Sequence, residues 1–316
     1  MKRMAQWILG FALGVLPATA AWTIEERAED DLPGRALEIR SDGQLVAALI
    51  YGEGQFKPYL AVYDSEERRL TNPGMEPDGE SRGRFPHHRG IFIGWNRVAS
   101  DLGRDDLWHF RGDERMEVAS VARREADEDS ATLEVVIHWR SANRGDDSEG
   151  LLLKENRRFV VSRDDGRTRI DQRSELTAAR DLKLGGDLQH AGLHFRADAE
   201  VVGVSGETRY LWAPAELPAG NGRIVSDDLE WVNFRFPLHG QWYSVTQLNR
   251  PENRVTELSW RDYGRFGFFF SEELEAGESR VVAARFVIDE APAPGGDETV
   301  RATAAADAAE YLGTDE

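Results

Sequence analysis

From Ala36 onward the apolar residues of this chain recur every second position, in segments too short and too closely spaced for helices. ALEIR, QLVAALIYG, PYLAVYD, IFIGWNRV, ATLEVVIHWR, LLLKENRRFVV, RTRIDQRSEL, LHFRAD, EWVNFRFPL, QWYSVTQL, RFGFFF and SRVVAARFVI are separated by Gly, Asp and Asn clusters such as SDG, SRDDG and LHGQ. Residues two apart share one face of a strand, so each segment offers one apolar face to bury. Many such strands with no helical period between them predict an all-β chain, a large antiparallel β-sandwich. Only the Ala-rich tail after the Pro/Gly linker APAPGG reads as a helix, short and peripheral, over about 298–312.

The first twenty residues obey a different rule. Lys2 and Arg3 precede an apolar stretch from Trp7 to Leu16 and an Ala18-Thr19-Ala20 step, the order of a secretory signal peptide cleaved near Ala20. The stretch is shorter than the ~20 residues of a spanning helix. The expected organisation is a leader at 1–20, one β-sandwich domain at 21–290, and a linker with a helix at 291–316. The product is a periplasmic or secreted protein with no membrane insertion after leader removal.

Composition removes several functions. There is no cysteine, which excludes disulfides and thiolate chemistry. The net charge of −18 becomes −20 without Lys2 and Arg3, and a field of that sign repels nucleic acid. No glycine-rich nucleotide loop, HExxH, or G-x-S-x-G elbow is present.

What remains is seven histidines and a few misplaced charges. His138 on a strand and His239 in the LHGQ turn read as surface and turn residues. His87 and His88 in FPHHRGIFIGWN should point to opposite sides if they lie on a strand; His88 is favoured for the site, with His87 bracing it. His190 and His194 in DLQHAGLHF stand about 13 Å apart along a strand, so at most one can reach a common centre unless Ala191-Gly192 bulges. Glu155 shares the apolar face of LLLKENRRFVV with Leu153, Phe159 and Val161, and a carboxylate there is either ion-paired, for example with Arg157, or functional. Arg261 and Tyr263 in SWRDYGRFG can bind a carboxylate or sugar hydroxyls, or pin a turn. Trp95, Trp108, Trp212 and Trp242 are either sugar platforms or core.

The motifs HHRG, DLWHF, LLLKENRRF, QHAG and RDYGRFG, spread over about Leu37 to Ile288, resemble a family of exported bacterial proteins of poorly defined function known as PmoA-like or methane oxygenase PmoA. The resemblance implies a β-sandwich and carbohydrate metabolism. Methane oxidation does not follow, because that enzyme's namesake subunit is an integral membrane protein. The large sandwich of aldose epimerases, the galactose-mutarotase-like supersandwich, is a similar outline by analogy of fold.

The expectation is therefore a carbohydrate-active enzyme, a lyase, hydrolase or epimerase. His88, His109, Glu155, His190 and Arg261 are the catalytic candidates. Arg89, Trp108, His194 and Tyr263 are the candidates for binding the sugar or other small-molecule substrate. Two chemistries fit: imidazole and carboxylate acid–base catalysis, or one divalent metal ion on His88, His109 and His190. The competing expectation is a non-catalytic carbohydrate-binding or structural module with exposed tryptophans and scattered histidines.

Overall fold

The computed structural model describes residues 21–28, 34–74, 85–143, 149–187, 189–291 and 293–313. The expected leader at 1–20 and most of the loop from Thr71 to Phe85 lie outside the described residues. The period-two segments form two large antiparallel sheets, of nine and eight strands, and a small sheet of four. The long hairpins of the eight-stranded sheet show why the sequence folds this way. Strands Leu151–Asp164 and Arg167–Ala178 pair continuously from Leu153 opposite Ala178 to Asp164 opposite Arg167. Asp165 and Gly166, with φ of 49° and 77°, make the turn between them, a conformation that matches the right-handed strand twist and that Asp-Gly adopts at low cost.

The main core lies between the two large sheets. Leu37, Leu49, Ile93, Leu193, Phe195 and Phe266 from the nine-stranded sheet pack in one cluster with Leu133, Ile137, Phe159, Phe234 and Phe286 from the eight-stranded one. The architecture is the predicted antiparallel β-sandwich. A second cluster, including Tyr59, Phe92 and Trp108, covers the opposite face of the nine-stranded sheet. That outer face carries the site.

The tail helix, Asp297–Gly313, is no loose appendage. Ala304, Ala308 and Tyr311 pack on Leu211, Trp231, Leu248 and Val287 of the eight-stranded sheet. Arg167 pairs with Asp307 at 2.6 Å and Arg285 with Glu310 at 2.9 Å. The helix packs on the second face of that sheet through these residues. No helix among the described residues is long and apolar enough to cross a membrane.

Candidate active site

The floor of the site is built by two central strands of the nine-stranded sheet, Ile91–Trp95 and Ala191–Arg196, in which His194 is the direct cross-strand partner of Phe92. Their neighbours Ile91, Ile93, Leu193 and Phe195 face the main core, so alternation turns Phe92 and His194 outward. His194 is nevertheless fully buried. Trp108 lies over both rings, with centroids 5.0 Å from Phe92 and 4.8 Å from His194. On the other side Gly267 lets the imidazole approach, since a Cβ there would stand 2.6 Å from His194 Cγ. Burial pushes the pKa of His194 well below its usual value, and its Nε2 donates to the carbonyl of Ala191 at 2.7 Å.

Trp108 belongs to a tight turn, and that turn also positions the first imidazole of the cleft. Asp106 Oδ1 accepts the backbone N–H of Trp108 at 3.2 Å and of His109 at 2.9 Å, and Oδ2 accepts Nδ1–H of His109 at 2.8 Å. The same device recurs before the strand Ala191–Arg196. Asp187 Oδ1 accepts the N–H of Gln189 at 3.1 Å and Nδ1–H of His190 at 2.7 Å. In both turns the sequence is Asp-Leu-x-His, and in both the carboxylate fixes the tautomer that leaves Nε2 as the free lone pair. The two rings meet with centroids 4.6 Å apart.

His87 and His88 complete the cluster. They lie in a turn before the strand Ile91–Trp95 rather than on it, so the alternation expected of them does not apply. Both line the cleft. His87 stands 4.2 Å from the ring of His88 and 4.6 Å from that of His109. His88 is 2% exposed, and its Nε2 accepts the indole N–H of Trp108 at 3.1 Å. Its Nδ1 is buried without a partner. Burial, then neighbouring charge, pushes the pKa of His87 down to about 2 and that of His88 well below its normal range. His190 is lowered by burial, against the opposing pull of Asp187. His87, His88 and His190 are therefore neutral at pH 7.

Beneath this cluster sits a fully buried amine. Lys57 Nζ lies 4.1 Å over the Phe92 ring and donates to the carbonyl of Trp108 at 3.2 Å. Burial and then the charge of Arg89 hold its pKa well below that of an ordinary lysine. Two aromatic residues next to the site, Phe85 and Phe110, take left-handed backbone conformations with φ of 60° and 55°, which cost about 1 kcal/mol each; Phe85 opens the turn that carries His87 and His88, and Phe110 closes the Asp106 turn. The cleft that results has a volume of about 550 Å³, and Arg111, Gln189, Arg261, Tyr263 and Arg265 line it together with the imidazoles. Arg261 is held by its NH1 donating to the carbonyls of Gly222 at 3.2 Å and Trp260 at 2.6 Å.

The sequence matches the family of unknown function DUF6807 over residues 36–302. The chain belongs to that family. No curated protein matches it. Among solved structures it is similar to a galactose mutarotase related enzyme from Lactobacillus acidophilus, with 9% identity over 84% of this chain and 97% of that one and a TM-score of 0.37. A galactose mutarotase-like protein from Clostridium acetobutylicum shares 10% identity over 85% and 99% of the two chains, with a TM-score of 0.38. The galactosidase domain of an alpha-galactosidase-sucrose kinase shares 13% over 70% of this chain and 31% of that one, with a TM-score of 0.32. Superpositions this loose say nothing about substrate or mechanism.

Of the residues expected at the site, the fold brings His88, His109, His190, Arg261 and Tyr263 to one cleft. Four others are corrected. Glu155 does not border the cleft: Arg157 binds both its oxygens at 2.7 and 2.9 Å, and Trp139 Nε1 donates to it at 2.8 Å. Arg89 turns the other way, stacking 3.8 Å from the Phe56 ring centroid and donating to Pro86 O and Gln55. Trp108 and His194 are fully buried beneath the cleft, Trp108 in the apolar cluster with Phe92 and His194 under the Trp108 ring.

The three-imidazole metal centre on His88, His109 and His190 does not form in this arrangement. Among the described residues no group of three or more His, Cys, Asp or Glu side chains is placed to hold one ion, and Trp108 occupies Nε2 of His88. Sequence reasoning missed Asp106, Asp187, Arg265 and the equal standing of His87. The signal for the two aspartates was the repeated Asp-Leu-x-His. For Arg265 it was alternation, because Phe266 and Phe268 face the core and leave Arg265 and Gly267 on the side of the site.

Proposed function

We propose that this protein is an exported carbohydrate-active enzyme that moves protons with the His109 and His190 imidazoles. The observation that carries the reading is the pair of Asp-Leu-x-His turns, which aim two carboxylate-oriented imidazoles into one cleft. One Nε2 takes a proton from the sugar while its aspartate, hydrogen-bonded at Nδ1, stabilises the imidazolium that forms. The other returns or donates a proton at a second position. Elimination, epimerisation and hydrolysis all use such a pair. A cleft of about 550 Å³ with guanidinium, amide and imidazole groups, and with Phe85 and Tyr263 rings 5.1 Å apart at its side, suits one or two sugar rings.

The export part of the reading rests on the leader-like order of residues 1–20, and the kinship with PmoA-like proteins on HHRG, QHAG and RDYGRFG. A non-catalytic module is disfavoured by the clustering of the histidines and by the complete burial of Trp95 and Trp108. Turnover of a panel of oligosaccharides by the purified protein tests the proposal. The expected result is a product whose formation drops sharply in both His109→Gln and His190→Gln while circular dichroism stays unchanged. Product formation indifferent to both substitutions would remove the imidazole pair from the mechanism.

A further inference from the structure

Beside the imidazoles the cleft holds a buried cation, Arg265, whose charge acts on His88, His190 and His194 and which has no carboxylate hydrogen-bonded to it among the described residues. Arg265 is 1% exposed and opens the strand Arg265–Phe269, where its side chain borders the cleft. Its hydrogen bonds go to neutral groups: NH1 to Ser259 Oγ at 3.0 Å and to Ser259 O at 3.5 Å, and a further bond to the Tyr263 side chain. Its Nε is buried without a partner. Glu257, which feels the charge of Arg265, is itself paired with Arg223 at 2.7 Å. A guanidinium stays charged wherever it sits, so burying one against neutral partners is unfavourable unless an anion arrives. In a chain of net charge −18, Arg111 and Arg261 border this same cleft, with Asp262 the one carboxylate among the described residues on its lining.

We propose that the substrate is a sugar bearing a carboxylate, and that this carboxylate pairs with Arg265, with Arg261 and Arg111 alongside. The inference rests on the reading of the cleft as a carbohydrate site and deepens it. A planar carboxylate matches the flat guanidinium fork, and a single buried arginine balances a single negative charge. A carboxylate held there would also lie in the same cleft as the bases. An imidazole Nε2 removes the proton from the carbon bearing the carboxylate, and the C–H electron pair moves into that group as an enediolate, whose added charge Arg265 stabilises. A proton returned to the opposite face inverts the carbon. Alternatively the electron pair forms a C=C bond as the C–O bond at the next carbon breaks, and the leaving oxygen takes a proton from the second imidazole. Neither route needs an oxidant or a further reactant.

Calorimetric binding to the full chain tests this, with disaccharides containing glucuronate or galacturonate set against their neutral glucose and galactose counterparts, a sulfated disaccharide and inorganic phosphate. The expected result is about tenfold or greater preference for the uronates over the neutral sugars, lost in Arg265→Met. The uronates should also raise the melting temperature of the wild type and leave that of Arg265→Met unmoved. Should that variant fail to fold, the wild-type comparison still decides, and Arg111→Ser at the exposed wall should weaken uronate binding alone. Equal binding of neutral sugars would overturn the carboxylate while leaving the carbohydrate reading intact. Equal binding of sulfated sugar or phosphate would overturn it in favour of a general anion site. Binding of no sugar at all would overturn the carbohydrate reading itself.

Discussion

Two groups of buried ionisable residues in this molecule are built on opposite terms. In the eight-stranded sheet, Glu155 and Arg157 are both fully buried, and each satisfies the other: two hydrogen bonds join them, Trp139 donates to the carboxylate and the carbonyl of Pro58 accepts from the guanidinium. At the cleft, Arg265 and His88 are just as buried, yet Arg265 Nε and His88 Nδ1 have no partner. A closed set of partners needs nothing from outside. At the cleft the charge of Arg265 is left unbalanced, and the proposed carboxylate of the substrate would balance it. Burial is the same in both; what differs is charge balance, because Glu155 neutralises Arg157 whereas the hydrogen bonds of Arg265 go to neutral groups.

Four outcomes test that contrast. The largest is on rate: His190→Gln should lower turnover by about 10²–10⁴-fold with stability close to that of the wild type, read from initial rates and a denaturant curve. Next is Glu155→Gln, which strands the Arg157 guanidinium and should cost about 3–5 kcal/mol of folding free energy, measured by urea unfolding. A smaller effect comes from acid. His88 and His194 have folded-state pKa values well below an unfolded value of about 6.5, so above that pH they cost nothing. As pH falls below about 6.5 the unfolded chain binds protons that the folded chain refuses, and each histidine should remove about 1.4 kcal/mol of stability per pH unit down to its folded pKa. A melting temperature flat between pH 6.5 and 5 would contradict the buried neutral rings. The smallest effect is Asp187→Asn: Asp187 raises the pKa of His190, so its loss should move the acid limb of the pH–rate profile to lower pH.

The strands were legible because alternation is a local property. IFIGW, LHFRAD and RFGFFF each announce which side faces the core, and the sandwich follows from having many of them. The same rule places His194 and Arg265 on the face of the site, but it cannot say that Trp108 would cover His194 while Arg265, equally buried, borders the cleft. That is decided by a turn 86 positions before His194 in sequence. Glu155 misled for a related reason. Its apolar surroundings are plain in LLLKENRRFVV, whereas the pairing with Arg157 two residues along the same strand depends on side-chain reach within the face. The Asp-Leu-x-His repeat is the local signal that bore most on function, because a three-residue spacing in a turn brings the carboxylate onto Nδ1 without help from the rest of the fold.

The central claim is that the cleft, not the closed pair in the sheet, carries the chemistry. Turnover per folded molecule, measured side by side for Glu155→Gln and His190→Gln under conditions where both are folded, tests it most directly. The account predicts turnover near that of the wild type for Glu155→Gln and a loss of about 10²-fold or more for His190→Gln. Loss of turnover in folded Glu155→Gln with His190→Gln unaffected would contradict it.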